Sequence, residues 1–400
     1  MPFTQIALAW TAAHAGLRGV LALATLVMTG ALVAAWLGFS RGTIARVCTL
    51  PLVAGLVWLQ RDDLCARGQV FGDAAFVALL LLLDRADQGR RVPWIAPTVL
   101  GALWANAHPS FLLVAVLPAA LAAAGLADRS GRRASPWPPL RIAAFASAGT
   151  LINPYGYGLI VDVARLARSP STARIDLFVS PDFHDPRWVA LMGVAGGVFT
   201  LRARHGPVAG RARDALVTVL LAGAACWGRR YCEILGFWSL AQAGRLATRE
   251  AVRLEERAAS LGWRLAGPVT IALGSAAAAV ATPKDPLAQV PDGAAEFVER
   301  EHLPDHVFGP YHWGGYLEWA WAGRRQVFVD GRNNLFDNGV FDDAHTIWRA
   351  QEGWARLLDA YHVETVLAER GSVLDAALWT SGWRRVFLGR LAVVYLRRSI

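Results

Sequence analysis

The sequence predicts a polytopic α-helical membrane protein of about ten crossings, ending in a small soluble α/β domain. Three observations carry that expectation. Of 400 residues, 54% are hydrophobic and only 18% charged, whereas a soluble chain of this length carries about a quarter charged. Several apolar runs approach the ~20 residues that cross a bilayer. Arginine gathers in the short stretches between those runs, which is the pattern of cytoplasmic membrane loops. The net charge of +9 therefore reports topology, and no nucleic-acid partner is expected.

The elements follow in order. Met1 to Leu17 is mildly amphipathic and too short to span, and Gly19 to Phe39 spans. Ile44 to Gln60 and Gly68 to Leu83 are shorter candidates, the second with Asp73 inside it. Pro93 to Ala107 and Phe111 to Leu126 form a helical pair broken at His108-Pro109, because proline disfavours helix at the residue before it. Leu140 to Ile160 is interrupted by Asn153-Pro154-Tyr155-Gly156. Trp188 to Leu201, Ala215 to Trp227, Tyr231 to Gln242 and Trp263 to Ala281 complete the set. Residues 1–282 then form the transmembrane domain and 283–400 the soluble one. The cysteines Cys48, Cys65, Cys226 and Cys232 have spacings that fit neither a zinc site nor a disulfide framework. They read as packing residues, although Cys226 and Cys232 could pair on an oxidising face. No basic start followed by an apolar core and cleavage site marks a signal peptide.

Sidedness comes from the loops. Arg85, Arg90 and Arg91 lie in one, Arg129, Arg132, Arg133 and Arg141 in another, and Arg202, Arg204, Arg211 and Arg213 in a third. The positive-inside rule makes all three cytoplasmic. The charged segment Arg245 to Arg264 joins them, so the last crossing runs outward and the C-terminal domain is extracytoplasmic. An even number of crossings also puts Met1 outside, and the expectation is that the natural protein begins earlier with a further helix.

In the tail, Ala294 to His302 reads as a helix and Val307-Phe308 as the start of a strand. Tyr316 to Trp321 reads as a helical turn, Gln326 to Val329 as a buried strand, and Phe341 to Ala360 as mainly helix. Glu364 to Ala368 is a strand and Leu374 to Trp379 a helix. Arg385 to Leu388 and Leu391 to Leu396 form a hairpin turning at Gly389-Arg390. Gly314 and Gly315 allow a close backbone approach beside Trp313 and Tyr316. Tyr311, His312, Asp330 and Arg332 are expected on loops at one end of this unit.

With this topology the unusual polar residues fall on the outer side. They are Arg67 and Gln69 before the third span, Asn106 and His108, Asn153 and Tyr155, Asp182, His184, Asp185 and Arg187, and Arg229, Arg230 and Glu233. Each taken alone reads as structural; their coincidence on one face points to a site, since ionisable residues at membrane depth are costly. A polyprenyl-phosphate sugar would suit it. Arginine grips phosphate bidentately, and a carboxylate near an acceptor hydroxyl acts as general base. Asp182-Phe-His-Asp185 also offers ligands for a divalent ion, Mg²⁺ or Mn²⁺.

Taken together, these stretches resemble the GT-C class of polytopic bacterial glycosyltransferases, particularly an uncharacterised group with an extracytoplasmic C-terminal tail. The matching pieces are Arg67-Gly-Gln-Val-Phe71, where the group usually reads Arg-Pro-Gln, then Trp104-Ala-Asn-Ala-His108, Asn153-Pro-Tyr-Gly156, Pro181-Asp-Phe183 and Arg230. In the tail they are Tyr311-His-Trp-Gly-Gly-Tyr-Leu317 and Phe328-Val-Asp-Gly-Arg332. The tail is also distantly similar to the aromatic-Asp-Tyr-Gly region of oligosaccharyltransferase catalytic subunits. The resemblance implies transfer of a sugar from a polyprenyl-phosphate donor to a glycan, lipid or protein acceptor at the outer face of a bacterial plasma membrane. It puts Arg67, Gln69, Asn106, His108 and Arg230 at the donor phosphate. Asp182, His184 and Asp185 become the catalytic groups, and Tyr311, Trp313, Tyr316, Asp330 and Arg332 the acceptor side. The chain departs from the class in lacking the first outer loop, rich in Asp and Trp, that carries the usual catalytic acid. The competing expectation is a non-catalytic membrane scaffold or transporter-like protein whose outer domain binds a partner.

Overall fold

A computed structural model describes residues 2–60, 68–127, 135–168, 179–205, 211–255, 289–331 and 339–398. The chain divides into two compact units, Met1–Val163 with Ile175–Thr282, and Ala164–Arg174 with Pro283–Ile400. The first is helical; the second carries a four-stranded sheet.

The first unit contains α1 (Pro2–Phe39), α2 (Thr43–Gln60), α3 (Gln69–Asp87), α4 (Ile95–Ala107), α5 (Leu113–Ala127), α6 (Trp137–Thr150), α7 (Gly158–Arg168), α8 (Pro186–His205), α9 (Arg211–Trp227) and α10 (Cys232–Glu255). The last turns of α7 belong to the second unit. Two expected spans change shape. The N-terminal segment and the first crossing run together as α1, with a break at Gly16, whose φ of 62° a glycine tolerates without steric cost. The Leu140–Ile160 segment is two helices, parted at Asn153 as the sequence indicates. The side chain of Asn153 makes that break. Its Nδ2 donates to the carbonyls of Thr150 and Gly156 at 2.7 and 3.1 Å, and its Oδ1 accepts from the Tyr155 amide at 2.8 Å. The break at His108-Pro109 is likewise present, followed by a short 3₁₀ turn, Pro109–Leu112.

Among the described residues, Pro2–Phe39 and Pro109–Leu126 are long and apolar enough to cross a membrane, while Thr43–Trp58 and Ile95–Ala107 are apolar but shorter. The expected span Trp263–Ala281 lies outside the described residues. The helices pack through glycine. A Cβ at Gly101 would lie 1.9 Å from the Ala146 carbonyl oxygen, and one at Gly149 would lie 2.0 Å from that of Thr98. The backbones of α4 and α6 therefore touch, because small residues let two helices approach closely. A contiguous core, with Phe76, Trp104, Phe237 and Trp238 at its centre, fills the bundle. Cys232 packs there as a buried residue.

Polar groups sort to the two ends of α3, whose 19 residues span about 28 Å. At its C-terminal end Asp84 binds Arg41 and Arg245, Asp87 binds Arg213, and Asp214 binds Arg202. Of these arginines, Arg202, Arg213 and Arg245 belong to the segments that the sequence assigns to the cytoplasm.

The second unit has the sheet order β1-β2-β4-β3, with β1 (Val307–Phe308), β2 (Thr365–Glu369), β3 (Arg384–Leu388) and β4 (Ala392–Leu396). β1 and β2 are parallel and the other pairs antiparallel. Helices α11 (Asp292–Arg300), α12 (Tyr311–Ala320), α13 (Val340–Trp348), α14 (Trp354–Ala360) and α15 (Val373–Thr380) pack around it. Two expectations need correction. Gln326 to Val329 is not a strand; Val327 makes a single parallel bridge to Val307. The Tyr311-His-Trp-Gly-Gly stretch is not a loop, and helix begins at Tyr311, directly after Pro310. Proline ahead of the helix pre-sets that start, and burial of Trp313 and Leu317 outweighs the cost of two glycines.

Candidate functional site

At the N-terminal end of α3, three elements bring polar side chains together. Gln69 opens α3 and its Nε2 donates to Glu233 on α10 and, at 3.4 Å, to the Arg230 carbonyl oxygen. Asp73, one turn further on, is 2% exposed, and Glu233 is 7% exposed. The Arg230 guanidinium lies within electrostatic reach of both carboxylates and of His108, with Tyr231 5.8 Å away in a cation–π contact. The α4 break supplies His108, whose Nδ1 and the Ser110 hydroxyl are 2.8 Å apart. Trp104 Nε1 donates to the same hydroxyl at 3.0 Å. Gly72 makes room for this pair, since a Cβ there would lie 2.8 Å from His108 Nδ1.

A second cluster adjoins through Arg229. The Arg229 amide donates to the Val179 carbonyl at 2.9 Å, which ties the segment carrying Asp182 to the turn carrying Arg230. The guanidiniums of Arg187 and Arg229 lie 5.7 and 5.3 Å from the buried Trp188 ring. The two acids in this segment differ. Asp185 is gripped by Arg187 Nε and Nη2 at 2.8 and 2.6 Å, and that guanidinium holds its carboxyl below the usual range. Asp182 Oδ1 accepts from the His184 amide at 2.9 Å and from its ring nitrogen at 2.8 Å, which also lowers its pKa. Among the described residues Asp182 Oδ2 has no partner, and the carboxylate is open to solvent.

The structure thus gathers Gln69, His108 and Arg230 at one end of the bundle and ties the Asp182–Arg187 segment to the same turn. Asn106 is there too, but its Nδ2 is occupied by the carbonyls of Ala102 and Ile152 at 2.8 and 2.7 Å. It anchors the Asn153 turn and offers little to a ligand. Arg67 and Arg332 lie outside the described residues. Asp73, Glu233 and Ser110 complete the cluster; Asp73, an acid inside an apolar run, and Glu233, beside Arg230, were visible in the sequence, and Ser110 was not. Among the described residues no three metal-ligating side chains converge. His184 and Asp182 direct their facing atoms at each other, so these residues alone do not form a metal centre.

In the second unit Tyr311 packs edge-on against Phe341 at 5.2 Å, and Tyr316 is half-buried beside Trp319. Trp313 is 3% exposed and part of the core, so its ring is shielded from any acceptor. Asp330 is buried as well, against Gly314. The polar groups facing outward there are His312, which the sequence singles out, and its partner Glu369, which it does not. His312 Nε2 pairs with Glu369 Oε1 at 3.3 Å, and Trp348 Nε1 donates to Glu369 Oε2 at 2.9 Å. The His312 hydrogen bond, then that of Trp348, draws the Glu369 pKa down.

The chain is similar in structure to the oligosaccharyltransferase of Archaeoglobus fulgidus, solved with a tethered acceptor peptide, at 13% identity and a TM-score of 0.51. That match covers 88% of this chain and 57% of the other. The fold is GT-C-like. A second structure of an oligosaccharyltransferase from that organism, AglB with an inhibitory peptide and a dolichol-phosphate, matches at 13% identity, a TM-score of 0.46, and 88% and 58% coverage. The mycobacterial arabinofuranosyltransferase AftD matches at 14% identity and a TM-score of 0.49, covering 95% of this chain and 33% of that one. The chain thus spans little more than half the length of the oligosaccharyltransferase. No family model matches the sequence, and neither does any curated protein.

Proposed function

We propose that this GT-C-like chain is a membrane-embedded glycosyltransferase that moves a sugar from a polyprenyl-phosphate donor to an acceptor at the outer face of a bacterial plasma membrane. The observation that carries the reading is the assembly of Arg230, His108, Gln69, Asp73 and Glu233 at the bundle end opposite the arginine-rich one. Arg230 and His108 meet the donor phosphate, and a guanidinium stabilises the charge that develops as the sugar leaves. The acceptor hydroxyl attacks the anomeric carbon as the bond to the phosphate oxygen breaks. Asp182, with one open carboxylate oxygen, takes the hydroxyl proton; Asp185 holds Arg187 in place. A lowered pKa makes Asp182 a modest base. In a metal-assisted variant Asp182 and His184 would give Mg²⁺ or Mn²⁺ at most two ligands, with water and phosphate supplying the others. The tail, extracytoplasmic in this reading, presents a polar surface of its own around His312 and Glu369.

The test is donor binding and transfer with polyprenyl-phosphate sugars, using purified wild-type, Arg230→Ala and His108→Ala chains. Donor binding falls in both variants if the assignment holds. Unchanged binding in both would refute it. Donor binding without transfer, under every acceptor tried, would favour the scaffold reading.

A further inference from the structure

The arginine-rich end of the bundle holds a feature that the proposed reaction does not use. A cleft of about 480 Å³ opens between the end of α3 and the starts of α4 and α6, within the ~300–1,000 Å³ typical of small-molecule sites. Arg90, Arg91 and Arg141 line it, with Trp94, Trp137 and Phe145, and all six are exposed. The acids on the adjoining end of α3 are already engaged: Asp84 by Arg41 and Arg245, Asp87 by Arg213. The cleft therefore carries surplus positive charge. Its shape is fixed by the walls, because α4 and α6 touch backbone to backbone at Gly101 and Gly149.

An apolar track begins beside this cleft, one residue past its lining residue Trp94. Ile95, Val99 and Leu103 are exposed, and their spacing of four puts them on one face of α4. They run about 12 Å from the mouth toward the other end of the bundle. Phosphate binding alone would not require such a track; an acyl chain would lie along it.

We infer that this cleft holds the phosphate headgroup of an anionic phospholipid from the leaflet at the arginine-rich end, with one acyl chain along Ile95, Val99 and Leu103. Guanidinium groups grip phosphate oxygens bidentately, and indole rings settle at headgroup depth. Basic pockets between membrane helices bind anionic headgroups on this principle. A choline headgroup is disfavoured, since its cation would face three arginines.

The test uses the full chain in detergent, with lipid adducts counted by native mass spectrometry. The probes are dioleoylphosphatidylglycerol, dioleoylphosphatidylcholine and inorganic phosphate. The wild type should retain phosphatidylglycerol in preference to phosphatidylcholine, and inorganic phosphate should not compete at equal concentration. Each Arg→Gln change should weaken retention roughly fivefold, and R90Q/R91Q/R141Q together roughly a hundredfold. Val99→Ser with Leu103→Ser should weaken the lipid without creating phosphate binding. If the triple variant does not fold, Arg141→Gln alone gives the same reading at smaller amplitude. Equal retention of both lipids, or retention untouched by the arginine variants, overturns the inference. Competition by inorganic phosphate as strong as by lipid overturns it too, and would mark a soluble-anion site.

Discussion

The contact between α12 and the segment Val329-Asp330 makes a sharp prediction for Gly314→Ala. A Cβ at Gly314 would lie 2.1 Å from the Val329 carbonyl oxygen and 2.9 Å from Asp330 Cα and Cβ. These are mostly backbone atoms, so no side chain can swing aside, and the helix must move off the segment it packs on. That motion unseats Trp313 and Leu317 from the core. Overpacking of this kind costs about 1–3 kcal/mol, offset by about 0.5–1 kcal/mol because alanine is the better helix former. The net loss is on the order of 1–2 kcal/mol, which raises the local opening equilibrium roughly 5- to 30-fold. Gly315 is the internal control, with nothing within 4 Å of its Cβ position. Gly315→Ala should therefore gain the propensity term alone and close the helix further. Amide hydrogen exchange of residues 307–321 in the full-length protein reads both changes. Equal exchange in the two variants would refute the close-approach argument.

Three further predictions concern other parts of the molecule. Asp84→Asn leaves Arg41 and Arg245 facing each other without their shared acid, and the thermal midpoint should fall by an amount corresponding to about 3 kcal/mol; an unchanged midpoint would show that solvent screens the trio. Asn153→Ala removes three hydrogen bonds from the α6–α7 break, about 1–3 kcal/mol locally, and should make the 150–157 turn cleavable by protease before the helices around it are cut. In the tail, the folded Glu369 carboxyl sits below its ordinary pKa, drawn down first by His312 and then by Trp348. Its contribution is complete above the ordinary carboxylate value of about 4.3 and is lost as pH falls through the lower folded value. Partial exposure keeps it under about 1 kcal/mol. Exchange at residues 340–348 should rise on acidification in the wild type, and this component should vanish in Glu369→Gln.

Much of the helical layout was legible because it rests on local rules. Proline at 109 and asparagine at 153 break helices through their own backbones, and apolar run lengths placed α2, α4 and α8. The clustering of Arg202, Arg213 and Arg245 at one end, away from His108 and Arg230, follows from charge, which sorts along a bundle whatever its packing. The Phe-Val-Asp-Gly segment misled because β-propensity describes a fit to a half-buried pleated surface. Here the neighbour of Val329 is a glycine face of α12, and only Val327 reaches the sheet.

The sequence by itself determined the helical class, the break points, the sheet-bearing tail and which polar residues share an end, because each follows from a period, a proline or a charge. Tertiary structure alone decided which of those polar residues touch. Gly72 opposite His108, Gln69 bridging to Glu233 and the His312–Glu369 pair depend on elements meeting across separations of 36 to 164 residues. No local preference encodes such meetings; they arise from how close two elements come, and at Gly72, as at Gly101, Gly149 and Gly314, glycine sets that distance.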